Sequence, residues 1–404
     1  MVRNEQIIER YTPLIDPASL ELLDQAIEKI VSAKQRGGKV FVATGSGPNL
    51  HEGVTTLIAE LMTKGIVDSV STSSAVVAHE MAGTLDKVKR LDGRQLGVNS
   101  ALLPKGYTFE FTQLSDETWE QIRHELELDE ALLNRGRELP GNVIIKAAGN
   151  MGYPMGLRTE RLAREIMSFA QAFGAPFETV AGWGADPKTM IGAGARLGKP
   201  VLVSIPQLIG GGGVGIAIAD SIPIMQRCLR LSEMIAQADV IIESAIVLSQ
   251  EIHDGPFEVY TGHGIWATWD GYPTYSLEGK TLIRIDLDSN LRKAWEFERQ
   301  SQAVQEAIDQ GLPKTKITGI PFRMEMSGFA RLEGSLPVIG DIGIVWPVLA
   351  CRVAQALGIE LDFISHPQQT PEGQAMREWI VEQVKPIDRN ALLRATQAFQ
   401  RGAR

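Results

Sequence analysis

Ionisable and polar side chains in this 404-residue chain collect just after short apolar runs. In KVFVATGSGPNLHEG (39–53) the run Val40–Ala43 breaks into a loop that carries Gly45, Ser46, Gly47, Asn49, His51 and Gly53. A glycine-bearing turn between a buried strand and a helix presents backbone N–H groups to an anion, such as the phosphates of a nucleotide. The hydroxyl of Ser46, the amide of Asn49 and the imidazole of His51 stand beside those donors, although Asn49 also suits a plain turn and His51 a helix cap. In STSSAVVAHE (71–80), the four consecutive hydroxyl residues Ser71, Thr72, Ser73 and Ser74 fit a cofactor cradle or ordinary caps, and His79 and Glu80 follow further along the same segment. Lys146 and Asn150 lie where NVIIKA (142–147) runs into AAGNMGYPMG, whose glycines at 149, 152 and 156 let a backbone approach a ligand.

Carboxylates mark the later runs. Glu243 sits in ADVIIES (238–244), and Glu251, His253 and Asp254 come next; such groups hold an amine or move a proton. TLIRID (281–286) ends in Asp286, with Asp288 beyond it, and an acid there suits a dinucleotide ribose or a helix cap. PQLIGGGGVG (206–215) reads as a mobile lid, a plain flexible loop, or a place where no side chain fits. No metal-ligand spacing, serine-nucleophile elbow or Walker loop is present.

The elements that position these groups alternate. Pro17–Lys34 has apolar residues at helical spacing, and KVFVAT, VDSVST, NVIIKA, PVLVSI, ADVIIES, TLIRID and LPVIGD read as buried strands. Helical patterns at Val54–Lys64, Arg161–Phe173 and Ile222–Ala238 separate them. The expectation is an α/β fold: a doubly wound, mostly parallel, Rossmann-like sheet with helices on both faces. One large domain is expected over 1–404, with an N-terminal helical arm (1–38) and insertions near 94–140 and 252–280. The second insertion is rich in glycine, proline and aromatics, which suits either a functional loop or a packed cover.

Composition bounds the function. Hydrophobic residues make up 44% and charged residues 22%, enough for a sizeable core. A net charge of −9 argues against general nucleic-acid or membrane-surface binding. Cys228 and Cys351 lie in apolar helical patterns, so a disulfide framework is not expected. With no signal-like or membrane-spanning stretch, the reading is a soluble cytoplasmic protein.

In order along the chain, GP-x-x-H-x-G (47–53), VD followed by SAVVAHE (67–80), IRIDLD (283–288) and VIGDIG (338–343) resemble the NAD-binding domain of the archaeal-type ornithine cyclodeaminases, the LOR/SDH family. GDIGIVWP (340–347) is similar to a cofactor-contacting strand end of deoxyhypusine synthase. The resemblance implies NAD across the strand ends, facing Gly45, Ser46, Gly47, Asn49, Ser73, Ser74, Asp286, Gly340 and Asp341. It implies that His51 and His79 stand near cofactor or substrate, and that the small-molecule substrate is an amino acid or polyamine-like amine in a homo-oligomeric enzyme. Glu243 and Asp254 are then candidate amine contacts, and Lys146, Asn150 and Arg158 candidate substrate contacts. The expected activity is transient oxidation and deamination; aminoalkyl transfer and non-catalytic NAD sensing are the alternatives. MSGFARLEGSLP (326–337) has no lysine where the transferase keeps one, and the 206–215 run lacks the charges of the cyclodeaminases.

Overall fold

The computed structural model describes residues 4–45, 47–149, 151–208, 211–244, 277, 279–287, 293, 301–312 and 334–402. Ser46, Asn150, Asp254, Asp288 and most of the aromatic stretch 252–280 lie outside the described residues. By the density of its contacts the chain divides into two compact units. The first unit comprises 1–72, 197–204 and 224–370; the second comprises 73–196, 205–223 and 371–404.

The first unit is built on six parallel strands: β1 (Val40–Thr44), β2 (Ser69–Thr72), β6 (Val201–Val203), β7 (Val240–Ser244), β8 (Thr281–Asp286) and β9 (Ser335–Ile339). Their spatial order is β6-β2-β1-β7-β8-β9, so the connections reverse direction between β1 and β7. Strand residues alternate between faces, and the two faces are covered by different helices. Phe41, Ala43, Ile241 and Leu282 pack with Met234 and Ile235 of α12 (Ile224–Gln237). On the opposite face Ser244 takes a hydrogen bond from Trp346 of α14 (Ile342–Leu357). Burying each of the Phe, Ile, Leu and Met side chains among these contributes roughly 1.5–3 kcal/mol. This is the expected α/β architecture, with a parallel Rossmann-like sheet and helices on both faces.

Further helices of this unit are α1 (Asn4–Tyr11), α2 (Pro17–Gln35), α3 (Gly47–His51), α4 (Val54–Thr63) and α13 (Gln302–Asp309). The α2 helix starts where Asp16 accepts the Ser19 N–H at 3.1 Å, and it buries Leu23, Ile27 and Ile30 at the spacing read from sequence.

The second unit holds a three-stranded antiparallel sheet in the order β4-β3-β5: β3 (Leu85–Asp92), β4 (Thr108–Thr112) and β5 (Asn142–Ala147). NVIIKA is therefore not a parallel strand, as expected, but β5. The physical reason is exposure: Asn142 and Val143 are open, whereas a strand inside a helix-covered parallel sheet is buried on both faces. The helices here are α5 (Ser74–Met81), α6 (Asp116–Glu125), α7 (Glu130–Glu138), α8 (Met155–Phe173), α9 (Phe177–Gly182), α10 (Met190–Leu197), α11 (Gly212–Ser221), α15 (Pro371–Gln383) and α16 (Arg389–Gly402). The helix read over 222–238 is α12, and a separate helix, α11, begins inside the glycine run before it, with Pro223 between the two. Among the described residues no helix is long and apolar enough to cross a membrane.

Candidate functional site

Open parallel sheets bind ligands outside the carboxyl ends of their strands, where the connections reverse. In the first unit that point lies between Thr44 of β1 and Ser244 of β7, which are partners in register. Asn49 closes it. The fully buried Asn49 amide donates to the Gly45 carbonyl at 3.0 Å and to the Ser244 carbonyl at 3.4 Å. Its own oxygen accepts the Ser244 hydroxyl at 2.6 Å, and the Trp346 indole N–H donates to that hydroxyl at 2.8 Å. Asn49 thus braces the loop across the two strands and fixes where the backbone of Gly45 and Gly47 stands. A Cβ placed on Gly47 would touch nothing among the described residues, so the space beside it is open as far as they define it.

A row of hydroxyls runs along these ends. Register places Thr44 beside Ser244, and Ala43 beside Ser71, so Thr44 and Thr72 are neighbours on one face. Both hydroxyls are buried and have no hydrogen-bond partner among the described residues. Sequence reasoning counted Thr72 among the hydroxyls of 71–74 but passed over Thr44, because a strand-end threonine is an ordinary β-residue. Only the pairing of β1 with β2 makes them a pair.

Asp286 ends β8 and is 8% exposed; its carbonyl accepts the Gly340 N–H at 2.9 Å. Asp341 caps α14 by accepting the Gly343 N–H at 2.8 Å. The Glu52 carboxylate lies against Gly343 as well, held by the Gln368 N–H at 2.7 Å. The protein therefore supplies two carboxylates at the positive end of α14, and an anion is better received at the Gly45–Gly47 backbone. A Cβ on Gly340 would sit 2.7 Å from Val345 Cγ2, so that glycine allows α14 to start close to β9. His51 ends α3, half-buried. Glu243 is buried in β7 opposite Arg284, 3.8 Å from its Nε.

The remaining candidates belong to the second unit. Ser73 caps α5 by accepting the Val76 N–H at 3.3 Å, and Ser74 Oγ accepts the Gln207 N–H at 2.7 Å. That bond secures the turn before α11. A Cβ on Gly211 would stand 2.7 Å from Ser74 Cβ, and one on Gly215 would strike the Gln207 carbonyl. Among the three readings of the glycine run, Gly211 and Gly215 fit the one in which no side chain is tolerated.

His79 is buried in α5, and its Nδ1–H donates to the Ala148 carbonyl at 2.7 Å, leaving Nε2 as an acceptor. Burial lowers its pKa, and the Lys146 charge acts in the same direction. Asp86 stands directly across β3 and β5 from Lys146. It accepts the Gly149 N–H at 2.9 Å, and burial pushes its carboxyl up to about 7 despite that bond and the nearby lysine. Glu80, also pushed up to about 7 by burial, accepts the N–H groups of Met190 and Ile191 at the start of α10. Sequence reasoning missed Asp86 because DKVKR (86–90) looks like a solvated charged strand.

Lys146 reaches Glu110 at 2.6 Å. The buried Arg158 makes a bidentate pair with Glu125 at 2.7 and 3.1 Å and donates to the Ile387 carbonyl at 2.8 Å. Both cations thus have carboxylate partners within the protein. Among the described residues no group of His, Cys, Asp or Glu is placed to hold a metal ion.

No family model matches this chain. No curated protein matches it either. Among solved structures it is similar to apo ArgZ, an arginine dihydrolase from the ornithine–ammonia cycle in cyanobacteria, at 14% identity and a TM-score of 0.40. That likeness covers 84% of this chain and 32% of the other, so the chain spans about a third of that protein. A ternary complex of AgrE with ornithine and NAD+ is similar at 13% identity and TM-score 0.40, over 84% of this chain and 34% of that one. A LOR/SDH protein from Methanococcus maripaludis S2 is similar at 11% identity and TM-score 0.38, over 85% and 71%. Likenesses at these scores do not bear on activity.

Proposed function

We propose that this chain is an NAD-dependent enzyme acting at the amine-bearing carbon of an amino acid or polyamine-like metabolite. One observation carries the reading: the reversal between β1 and β7 brings together a glycine loop, two buried hydroxyls without a partner among the described residues and, further along the sheet, a strand-end carboxylate. That set fits a dinucleotide. The backbone of Gly45 and Gly47 suits its phosphates, Thr44 and Thr72 its polar edges, and Asp286 a ribose hydroxyl. Ser46, Asn49, Gly340 and Asp341 complete the proposed surroundings in the first unit, Asn49 and Asp341 by holding backbone in place; Ser73 and Ser74, which open the second unit, are cofactor candidates by sequence resemblance.

When bound, the nicotinamide would accept a hydride from the carbon that carries the amine. The protein's part is to orient that carbon, exclude water and take the proton that leaves the nitrogen. His79 suits proton transfer because its lowered pKa keeps it neutral with Nε2 able to accept. His51 is the corresponding group of the first unit, and Glu243 and Asp254 are assigned to the substrate amine. Lys146, Asn150 and Arg158 are assigned to the substrate's acidic end, where Lys146 and Arg158 would exchange a protein carboxylate for that of the substrate. The missing lysine in 326–337 favours this reading over aminoalkyl transfer.

A titration of NAD followed by thermal unfolding tests it. Saturating NAD should raise the transition by the equivalent of about 2.7 kcal/mol at a hundred times its dissociation constant. Asp286→Ala should weaken that binding at least tenfold. If NAD moves no transition, or Asp286→Ala binds unchanged, the cofactor assignment is wrong.

A further inference from the structure

A cavity of about 530 Å³ opens in the second unit among the end of α6, one face of α8 and the start of α16. Four arginines line it, Arg158, Arg161, Arg164 and Arg389, against two carboxylates, Glu125 and Glu165. Four positive charges less two negative ones leave an excess of two in the lining, with the neighbouring His124 counted as neutral. The carboxylates are already used. Glu125 takes both arms of Arg158, and Glu165 takes Arg389 in the same fashion at 2.8 and 2.9 Å.

The excess therefore rests on Arg161 and Arg164. Both are exposed, they stand three residues apart on α8, and neither guanidinium has a hydrogen-bond or ion-pair partner among the described residues. Like charges at that spacing repel each other. A chain with a net charge of −9 has acidic residues in excess, yet here it keeps two cations side by side at the mouth of a concave surface. Guanidinium groups present parallel N–H donors that match carboxylate and phosphate oxygens, as the two internal pairs of this cavity already display. Leu126 and Leu162 give it an apolar wall, which favours an organic ligand with charged ends over a bare ion.

We propose that this cavity binds a small dianion, a metabolite bearing a phosphate or two carboxylates, gripped by Arg161 and Arg164. It is built from the second unit alone and does not depend on the NAD reading. Thermal unfolding of the full chain with inorganic pyrophosphate or malonate, at ionic strength fixed by sodium chloride, tests the idea. A rise of several degrees with either probe is expected; which one acts tells phosphate from dicarboxylate recognition. The double variant R161A/R164A alters exposed side chains and should fold normally while binding at least tenfold more weakly. Glu165→Gln frees the Arg389 guanidinium and should tighten binding several-fold. No rise with either probe, or an equal rise in the double variant, overturns the proposal.

Discussion

Asp86 is a carboxyl group buried next to a lysine, and its ionisation is therefore written into the stability of the second unit. Its folded pKa, near 7, lies above the ordinary aspartate value of 3.8, so the folded state binds the proton more tightly than the unfolded chain. That stability is complete below about pH 4 and is lost as pH rises through about 7, on the order of 4 kcal/mol at most. Glu80 acts in the same direction. Urea midpoints should therefore fall from pH 5 to pH 8, and Asp86→Asn should flatten that dependence; an unchanged slope would assign it to other groups. Asn49 makes a different residue-scale prediction. Asn49→Ala leaves the Ser244 hydroxyl and two carbonyls without it, costing about 1–3 kcal/mol for a buried group left unsatisfied. The residue type of Asn49 was legible in the sequence, but its task was not, because the partner strand β7 begins 191 residues later (240 − 49). Asp86 was illegible for a related reason: nothing in DKVKR reports that β5 will pair with it and set Lys146 opposite Asp86.

At the scale of elements, six of the seven apolar runs became parallel strands, since a short stretch of Val and Ile with small residues at its end has few other uses. NVIIKA misled because one strand sequence serves either sheet, and its antiparallel partner β3 carries charges that hide it. Glycines separate packing from ligand approach. Gly215→Ala drives a methyl group into the Gln207 carbonyl and should unseat α11, seen as a lower midpoint and lost helicity. Gly47→Ala meets no atom of the described residues, so its stability should stay within about 0.5 kcal/mol of the parent. If a dinucleotide occupies that space, the same substitution should weaken NAD binding markedly. Equal affinity would place the ligand elsewhere.

At the scale of the whole molecule, the proposed cofactor groups Thr44, Gly45, Thr72 and Asp286 all belong to the first unit. Hydrogen exchange with NAD should therefore slow amides near 44–49 and 284–287, while those of α6 and α7 keep their rates. Protection confined to α6 and α7 would contradict the assignment. The order of segments has a kinetic consequence as well. The chain passes between the units five times, at 72/73, 196/197, 204/205, 223/224 and 370/371. A nascent chain leaving the ribosome carries β1 and β2 long before β7 exists, and β9 arrives only at residue 335. Pairings so distant along the chain are slow to form because loop closure must precede the contacts that reward it. β1 thus waits, unpaired along the edge that β7 will fill, while 196 residues (240 − 44) are added, and protection of that edge during the interval is a task suited to chaperones.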